Sequence, residues 1–207
     1  MLARDAAFTS IDFETTGVVG DAPSLPWQVG LVFFAAGRVR GDHQFTSLLR
    51  VGDRPFNFYA PGRHARLRKE IAAAPTLCDL WPVLTGWLTN RLLVAHNTAT
   101  EKKCLSEAFP LWRCGGWIDT LTLARIAYPD ASSHQLSDLL AILNLKEATD
   151  RLCPGLEAHD ALYDACASAV LLEHFLALPG WENVTVEHLL NARPESYRRL
   201  RKKSPPS

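Results

Sequence analysis

The sequence predicts an α/β fold in which helices cover both faces of one mixed β-sheet. Residues 7–13 and 28–36 are short apolar runs of strand type, and a more polar strand follows the second of them after Gly37. That glycine indicates an antiparallel hairpin at one side of the sheet. Farther along, strand-like and helix-like segments alternate, which indicates parallel strands joined by crossover helices. A length of 207 residues and an average composition indicate one main globular domain.

The remaining elements follow from turn residues and apolar periodicity. Between the hairpin and the first helix, residues 51–61 are rich in turn formers and predict a loop. The predicted helices cover residues 64–74, 76–88, 98–109, 120–128, 134–145 and 161–178. The predicted buried strands between them cover residues 91–96 and 117–119. Asp119 and Asp160 stand at the N-cap positions of the helices that follow them.

Composition and charge limit the classes of function. The 22 basic and 22 acidic side chains balance, which excludes a long electrostatic footprint on nucleic acid and leaves room only for local basic clusters. The five cysteines form no CxxC pair, so we expect reduced, mostly buried thiols rather than a disulfide framework or a zinc ribbon. No secretory segment or membrane-length apolar run is present in the sequence, and we expect a cytoplasmic protein with no membrane partner.

Two carboxylates stand at the end of the first predicted strand. Asp12 and Glu14 are two residues apart, so both side chains leave the strand on the same face. Their neighbours are apolar, and adjacent buried carboxylates are costly unless a cation neutralises them. The pair is therefore either a set of solvated strand-end charges or part of a divalent-cation site.

A second candidate pair lies at the start of the long helix over residues 161–178. His159 and Asp164 are five residues apart, about 140° around a regular helix, so they cannot share a helical face. If Asp160 is the N-cap, His159 hangs from the preceding loop and Asp164 lies near the positive end of the helix dipole. Taken alone, the two residues are better explained as a surface histidine and an early-helix acid than as parts of a functional site.

In chain order, these residues resemble a known family. Asp12-Phe13-Glu14-Thr15-Thr16-Gly17 ends the first strand, Ala95-His96-Asn97 ends a middle strand, and His-Asp-Ala-Leu-Tyr-Asp-Ala begins at residue 159. The pattern resembles the DEDDh, or DnaQ-like, 3′→5′ exonucleases, and the similarity extends over residues 8–176. It implies a ribonuclease H-like fold, a mixed five-stranded sheet flanked by helices. We expect an exonuclease domain over residues 1–190 and a basic, flexible tail over residues 191–207.

The resemblance implies a role for each acidic residue. Asp12, Glu14, Glu101 and Asp164 would hold two divalent cations, and their hard oxygen ligands favour Mg²⁺ or Mn²⁺. His159 would act as the general base on the attacking water, a task for which a histidine is suited at neutral pH.

The same resemblance implies where the substrate lies. The 3′-terminal nucleotide would rest against the backbone around Thr15 and Thr16, with Val18 as an apolar wedge beside the last bases. Asn97 completes the expected set of substrate-binding residues.

Glu101 departs from the family's middle motif. Where that motif reads roughly Asn-x-x-Phe-Asp, this chain has Asn97-Thr98-Ala99-Thr100-Glu101. Either Glu101 replaces the aspartate as a metal ligand, directly or through water, or Thr98 and Glu101 form a capping box that holds no metal.

The sequence therefore predicts a metal-dependent 3′→5′ exonuclease that hydrolyses phosphodiester bonds from the 3′ end of single-stranded DNA or RNA and releases nucleoside 5′-monophosphates. The alternative is a non-catalytic nucleic-acid-binding or scaffold protein of the same fold with a degenerate site. A binding module has no use for several clustered titratable groups, which argues against this alternative. The sequence leaves open whether the substrate is DNA or RNA. It also leaves open whether the protein forms a homodimer and whether it associates with a polymerase.

Overall fold

A computed structural model of the protein describes residues 1–60 and 62–195. Its strands are β1 (Phe8–Thr15), β2 (Pro26–Ala35), β3 (Arg38–Leu48), β4 (Leu92–Ala95) and β5 (Gly116–Asp119). Its α-helices are α1 (Arg68–Ala73), α2 (Trp81–Leu88), α3 (Ala99–Ala108), α4 (Thr120–Ala127), α5 (Leu136–Ile142), α6 (Lys146–Leu152), α7 (Ala161–Leu176) and α8 (Val186–Leu190). A short 3₁₀ helix over Ala3–Asp5 precedes β1.

The five strands form one mixed sheet in the order β3-β2-β1-β4-β5. β1, β2 and β3 pair antiparallel, whereas β4 joins β1 in parallel and β5 joins β4 in parallel. The predicted fold class, a mixed five-stranded sheet flanked by helices, is confirmed. The predicted hairpin is confirmed as well, and its turn has two residues in the left-handed region, Ala36 with φ of 53° and Gly37 with φ of 73°.

The alternation of side chains along β1 decides what each face of the sheet carries. Ile11 and Phe13 pack on one face with Leu84 of α2 and Leu105 of α3. Phe8 points to the opposite face, where it packs with residues of α7. Because side chains alternate along a strand, Asp12 and Glu14 share the face of Phe8 and therefore lie on the side of α7.

Helix α7 lies closely against this second face of the sheet. Twelve of its sixteen residues are buried, and five of the twelve are alanine or serine, which allow a short distance between helix and sheet. The closest approach is at Gly30 of β2, where a Cβ atom would overlap the backbone of Ala161 and Leu162. Gly30 pairs in register with Asp12, so the same approach brings the start of α7 beside the acidic end of β1.

Several element boundaries differ from the sequence predictions. α1 begins at Arg68 rather than at residue 64, and α2 begins only at Trp81. Residues 77–80 form a turn in which Thr76 and Asp79 exchange hydrogen bonds, so Thr76 caps this turn rather than α2. The predicted helix over residues 134–145 ends at Ile142, because Asn144 takes the left-handed conformation with φ of 57°. Helix α6, which follows, was not predicted.

The remaining predictions concern the tail, the cysteines and membranes. The sequence predicts a basic tail over residues 191–207. Residues 196–207 of this tail lie outside the described part of the chain. All five cysteines fall within the described part and are unpaired, and Cys104, Cys153 and Cys166 are buried. Among the described residues, no helix is long and apolar enough to cross a membrane.

Candidate active site

An open cavity of about 350 Å³ lies where β1 and β4 end. The predicted residues that line it are Asp12, Glu14, Thr15, Asn97, Glu101, His159 and Asp164. All five residues predicted to be catalytic are thus brought together, although they come from β1, from α3 and from the start of α7. The parallel pairing of β1 and β4 explains this, since the carboxyl ends of parallel strands meet at the same edge of a sheet.

The start of α7 holds His159 and Asp164 in the arrangement expected from the sequence. Asp160 is the N-cap, and its side chain accepts a hydrogen bond from the backbone N–H of Leu162 at 3.1 Å. His159 stands before the helix in the left-handed conformation, with φ of 66°. Its backbone N–H donates to Asp164 Oδ2 at 3.1 Å. Ligand atoms of Glu14, His159 and Asp164 all lie within 4.8 Å of one another.

Glu101 does not form the capping box that the sequence left open. Thr98 is the N-cap of α3, but its side chain makes no capping hydrogen bond among the described residues. Burial raises the pKa of the Glu101 carboxyl, and hydrogen bonds from its own backbone N–H and from that of Phe13 in β1 partly offset this rise. Glu101 is 3% exposed, and its Oε2 atom has no hydrogen-bond partner among the described residues. The capping-box interpretation is therefore wrong, and a buried carboxylate oxygen remains without a donor.

The four carboxylates oppose one another's ionisation. Burial, with smaller contributions from Asp164 and other acidic neighbours, raises the pKa of Glu14 to about 8. Burial likewise raises the pKa of Glu101 to about 7, and that of Asp164 to about 6 despite the opposing His159 N–H. The pKa of Asp12 lies well above its usual value because of burial and, next, the charge of Glu101. Such a group of oxygen ligands with excess negative charge fits a hard divalent cation.

The predicted substrate-binding residues occupy different positions around the cavity. Thr15 and Asn97 line it. Thr16 is 1% exposed, and both its backbone N–H and its hydroxyl oxygen are hydrogen-bonded to Leu25, at 2.9 and 3.1 Å. Thr16 therefore fixes the end of β1 through both groups. Val18 is 60% exposed and stands outside the cavity, near its rim.

Asp119 and His96 hold the turn between β4 and α3. Asp119 Oδ1 accepts the backbone N–H of Leu121, which confirms the N-cap, and it also accepts the N–H of Asn97 at 2.9 Å. This second bond supports Asn97 in its left-handed conformation, with φ of 68°. His96 lines the cavity, and its ring nitrogens contact the Thr120 hydroxyl at 3.0 Å and the His134 carbonyl at 2.9 Å. Burial lowers the pKa of His96, which favours the neutral ring at neutral pH.

A half-buried ion pair links the loop before α1 to the start of α7. Arg63 pairs with Asp160, which is 3% exposed, and the Gln28 side-chain amide donates to the same carboxylate oxygen at 3.1 Å. Next to Arg63, a Cβ atom on Gly62 would lie 2.9 Å from the carbonyl oxygen of His159. The loop before α1 therefore packs directly on the turn that carries His159. Sequence analysis missed this link because the two segments are about a hundred residues apart.

The turn around Asn57 was also missed. Its backbone N–H donates to the Thr16 carbonyl at 2.7 Å, and its side-chain amide donates to the Val18 carbonyl at 3.1 Å. Asn57 and Tyr59 both line the cavity. The signal in the sequence was the interleaving of aromatic residues with turn formers over residues 51–61, which predicted only a loop.

Comparison with known proteins supports one family. The model of the RNase_T family, described as Exonuclease, matches residues 9–172. A PolC-type DNA polymerase III from Oceanobacillus iheyensis is 27% identical over 80% of this chain, and the 3′-5′ exonuclease DinG from Staphylococcus haemolyticus is 28% identical over 80% of this chain. The chain spans only 11% and 18%, respectively, of these two relatives.

Solved structures show the same fold at low sequence identity. Pop2p from S. pombe, in its Mg²⁺- and Mn²⁺-bound form, has a TM-score of 0.65 at 12% identity, with 88% of this chain and 87% of that chain covered. Exonuclease I from E. coli, in complex with single-stranded DNA, has a TM-score of 0.56 at 17% identity, with 82% and 40% covered. The chain therefore belongs to the RNase_T exonuclease family, within the DEDDh, or DnaQ-like, group that its acidic motifs resemble.

Proposed function

We propose that this protein is a metal-dependent 3′→5′ exonuclease that releases nucleoside 5′-monophosphates from single-stranded DNA or RNA. The observation that carries the proposal is the convergence of Asp12, Glu14, Glu101 and Asp164 with His159 around one open cavity. The relative named as a 3′-5′ exonuclease supports the direction of cleavage, and the neighbour bound to single-stranded DNA supports the class of substrate.

The four carboxylates are the residues that would hold the cations. When bound, two divalent cations would supply electrostatic stabilisation of the scissile phosphate and of the leaving oxygen. The fit rests on the chemistry of the donors: hard oxygen atoms, raised pKa values, and a Glu101 Oε2 atom with no hydrogen-bond partner among the described residues. With a pKa of about 8, Glu14 keeps its proton at neutral pH in the absence of metal, and cation binding would release it.

The chain's own residues provide the base and the position of the terminal nucleotide. His159 is exposed, and its backbone N–H is bound to Asp164, so the left-handed turn fixes the backbone and leaves the ring facing the cavity opening. A ring nitrogen of His159 would accept the proton of the attacking water. A cavity of about 350 Å³ is near the lower end of small-molecule pockets and suits a single terminal nucleotide.

A cleavage assay on end-labelled oligonucleotides tests the proposal. Single-stranded DNA and RNA carrying a 5′ label would be incubated with Mg²⁺, Mn²⁺ or EDTA, and the mononucleotide products identified by chromatography. We expect a ladder that shortens from the 3′ end, 5′-monophosphate products, and no reaction with EDTA or with Asp12→Ala. Nicking of a circular single strand would exclude an exonuclease, and binding without cleavage in either metal would favour the non-catalytic alternative.

A further inference from the structure

Two neighbouring aromatic side chains stand almost fully in solvent beside the cavity. Phe58 is 90% exposed and Tyr59 is 88% exposed. Their rings are edge to face, with centroids 5.3 Å apart. Exposed apolar side chains that stand together on a surface mark binding sites more often than those that stand singly. Because the two side chains are exposed, they contribute little to the stability of the fold. We therefore looked for a binding role for them at the surface.

The turn that carries the pair is fixed by hydrogen bonds. The Asn57 side-chain oxygen accepts the backbone N–H of Tyr59 at 2.9 Å, and its carbonyl accepts the N–H of Ala60 at 2.9 Å. Asn57 is itself bonded to the carbonyl oxygens of Thr16 and Val18, as described above. The two aromatic rings are therefore presented from a turn that is fastened to the end of β1.

The aromatic pair continues the wall of the candidate active site. Tyr59 lines the cavity together with Glu14 and His159, and Phe58 contacts Tyr59 on the solvent side. Val18, 60% exposed, is joined to the same turn through Asn57. We call Phe58 and Tyr59 the aromatic rim, and Val18 is its aliphatic neighbour.

We propose that Phe58 and Tyr59 form a stacking platform for the bases of a single-stranded 3′ end, next to the nucleotide in the cavity. The inference rests on the proposed function and adds to it the surface that grips the strand. Every nucleobase has a π face, so such a platform accepts DNA and RNA of any sequence.

The charge distribution around the site favours stacking as the source of affinity. The four acidic side chains that line the cavity offer no attraction to a phosphate backbone, and the guanidinium of Arg63 is bound to Asp160. The chain as a whole carries no net charge. Because the lining of the cavity itself supplies no attraction for phosphates, contacts with bases are a source of affinity at this site, and the rim provides them.

Binding without metal tests the platform separately from catalysis. The anisotropy of a 5′-fluorescein-labelled oligothymidylate would be measured in EDTA with the wild type, Phe58→Ala, Tyr59→Ala and Tyr59→Phe. A second oligomer of equal length would carry abasic residues at its last positions. Leu111→Ala is the matched control, because Leu111 is 93% exposed and precedes the start of β5, whereas the cavity lies at the other ends of the parallel strands.

We expect each alanine variant to bind oligothymidylate about tenfold more weakly, the scale of one lost base stack. Tyr59→Phe and Leu111→Ala should bind like the wild type, and all variants should bind the abasic oligomer with the same reduced affinity. Because the replaced side chains are exposed, their melting temperatures should stay unchanged.

Two results would overturn the platform. One is unchanged affinity of both alanine variants for oligothymidylate, which would assign the rim to another partner, such as an apolar protein surface. The other is an equal loss of affinity for the abasic oligomer, which would show that the rings do not act through bases. The proposed function is judged separately, by whether the wild type hydrolyses the p-nitrophenyl ester of thymidine 5′-monophosphate with Mn²⁺ and Asp12→Ala does not.

Discussion

Without metal, the protein is expected to lose stability as the pH rises from about 5 to about 8. Glu14 has a pKa of about 8 in the folded protein and an ordinary value of 4.5, and Glu101 and Asp164 have folded values of about 7 and about 6. At a pH between a group's ordinary pKa and its pKa in the folded protein, the folded protein keeps a proton that the unfolded chain has released. Stability therefore falls with rising pH through this range, and the penalty is complete only above the pKa of the folded state.

The size of the effect follows from the difference between the two pKa values of each group. One pKa unit corresponds to about 1.4 kcal/mol, so Glu14 alone lowers the free energy of unfolding by the order of 5 kcal/mol above pH 8. In a domain of this size, 1 kcal/mol shifts the melting temperature by about 2–4 °C. We therefore expect the melting temperature of the apo protein to fall by the order of 10 °C.

The assay is thermal unfolding in EDTA and in millimolar Mg²⁺ across this pH range. Mg²⁺ should restore the melting temperature most strongly at the alkaline end, because the cation binds the ionised carboxylates and displaces their protons. Asp12→Asn should raise the melting temperature of the apo protein at alkaline pH, since it removes one of the repelling charges. A melting temperature that stays constant or rises with pH in EDTA would refute the reasoning.

Four further predictions concern single residues. Gly30→Ala should prevent normal folding, because its Cβ atom would overlap the backbone of α7. A thermal unfolding curve followed by far-ultraviolet circular dichroism that matches the wild type would contradict this. Gly62→Ala should lower kcat with a smaller effect on metal affinity, because its Cβ atom would press on the carbonyl of His159; unchanged kcat would argue against that contact. His159→Ala should lower turnover by ~10²–10⁴-fold at unchanged metal affinity, whereas lost metal binding in a titration would make His159 a ligand. Glu101→Gln should depress activity severely and Glu101→Asp should retain it; near-wild-type turnover of the glutamine variant at limiting Mg²⁺ would remove Glu101 from the metal ligands.

The sheet and the acidic residues were predictable because their signals are local. Side-chain alternation along β1 placed Asp12 and Glu14 on one face, and an N-cap at Asp160 placed His159 outside α7. Both arrangements depend only on neighbours in sequence. The resemblance to the exonuclease family then supplied the long-range step that brings the two segments to one cavity.

What sequence analysis missed depends on contacts between distant segments. The motif of Thr98 and Glu101 satisfies the local rule for a capping box, but packing of α3 against β1 turns the glutamate toward the acidic cavity instead. The ion pair of Arg63 was missed for the same reason, because its partner Asp160 lies 97 residues away. Local propensity does not contain these contacts, and they were visible only once the sheet order was known.

The same close packing that builds the site also accounts for the loss of stability that we expect without metal. Gly30 lets α7 approach β2, and this approach brings Asp164 toward Asp12 and Glu14, which the rigid strand holds in place. Because backbone packing fixes where these side chains start, only changes of rotamer are left to move the carboxylates apart when they ionise. The apolar core around α7 must therefore offset their repulsion in the apo protein, and a bound cation would relieve it. The proposed affinity for metal and the expected loss of stability without it would thus have one structural origin, the contact between β2 and α7.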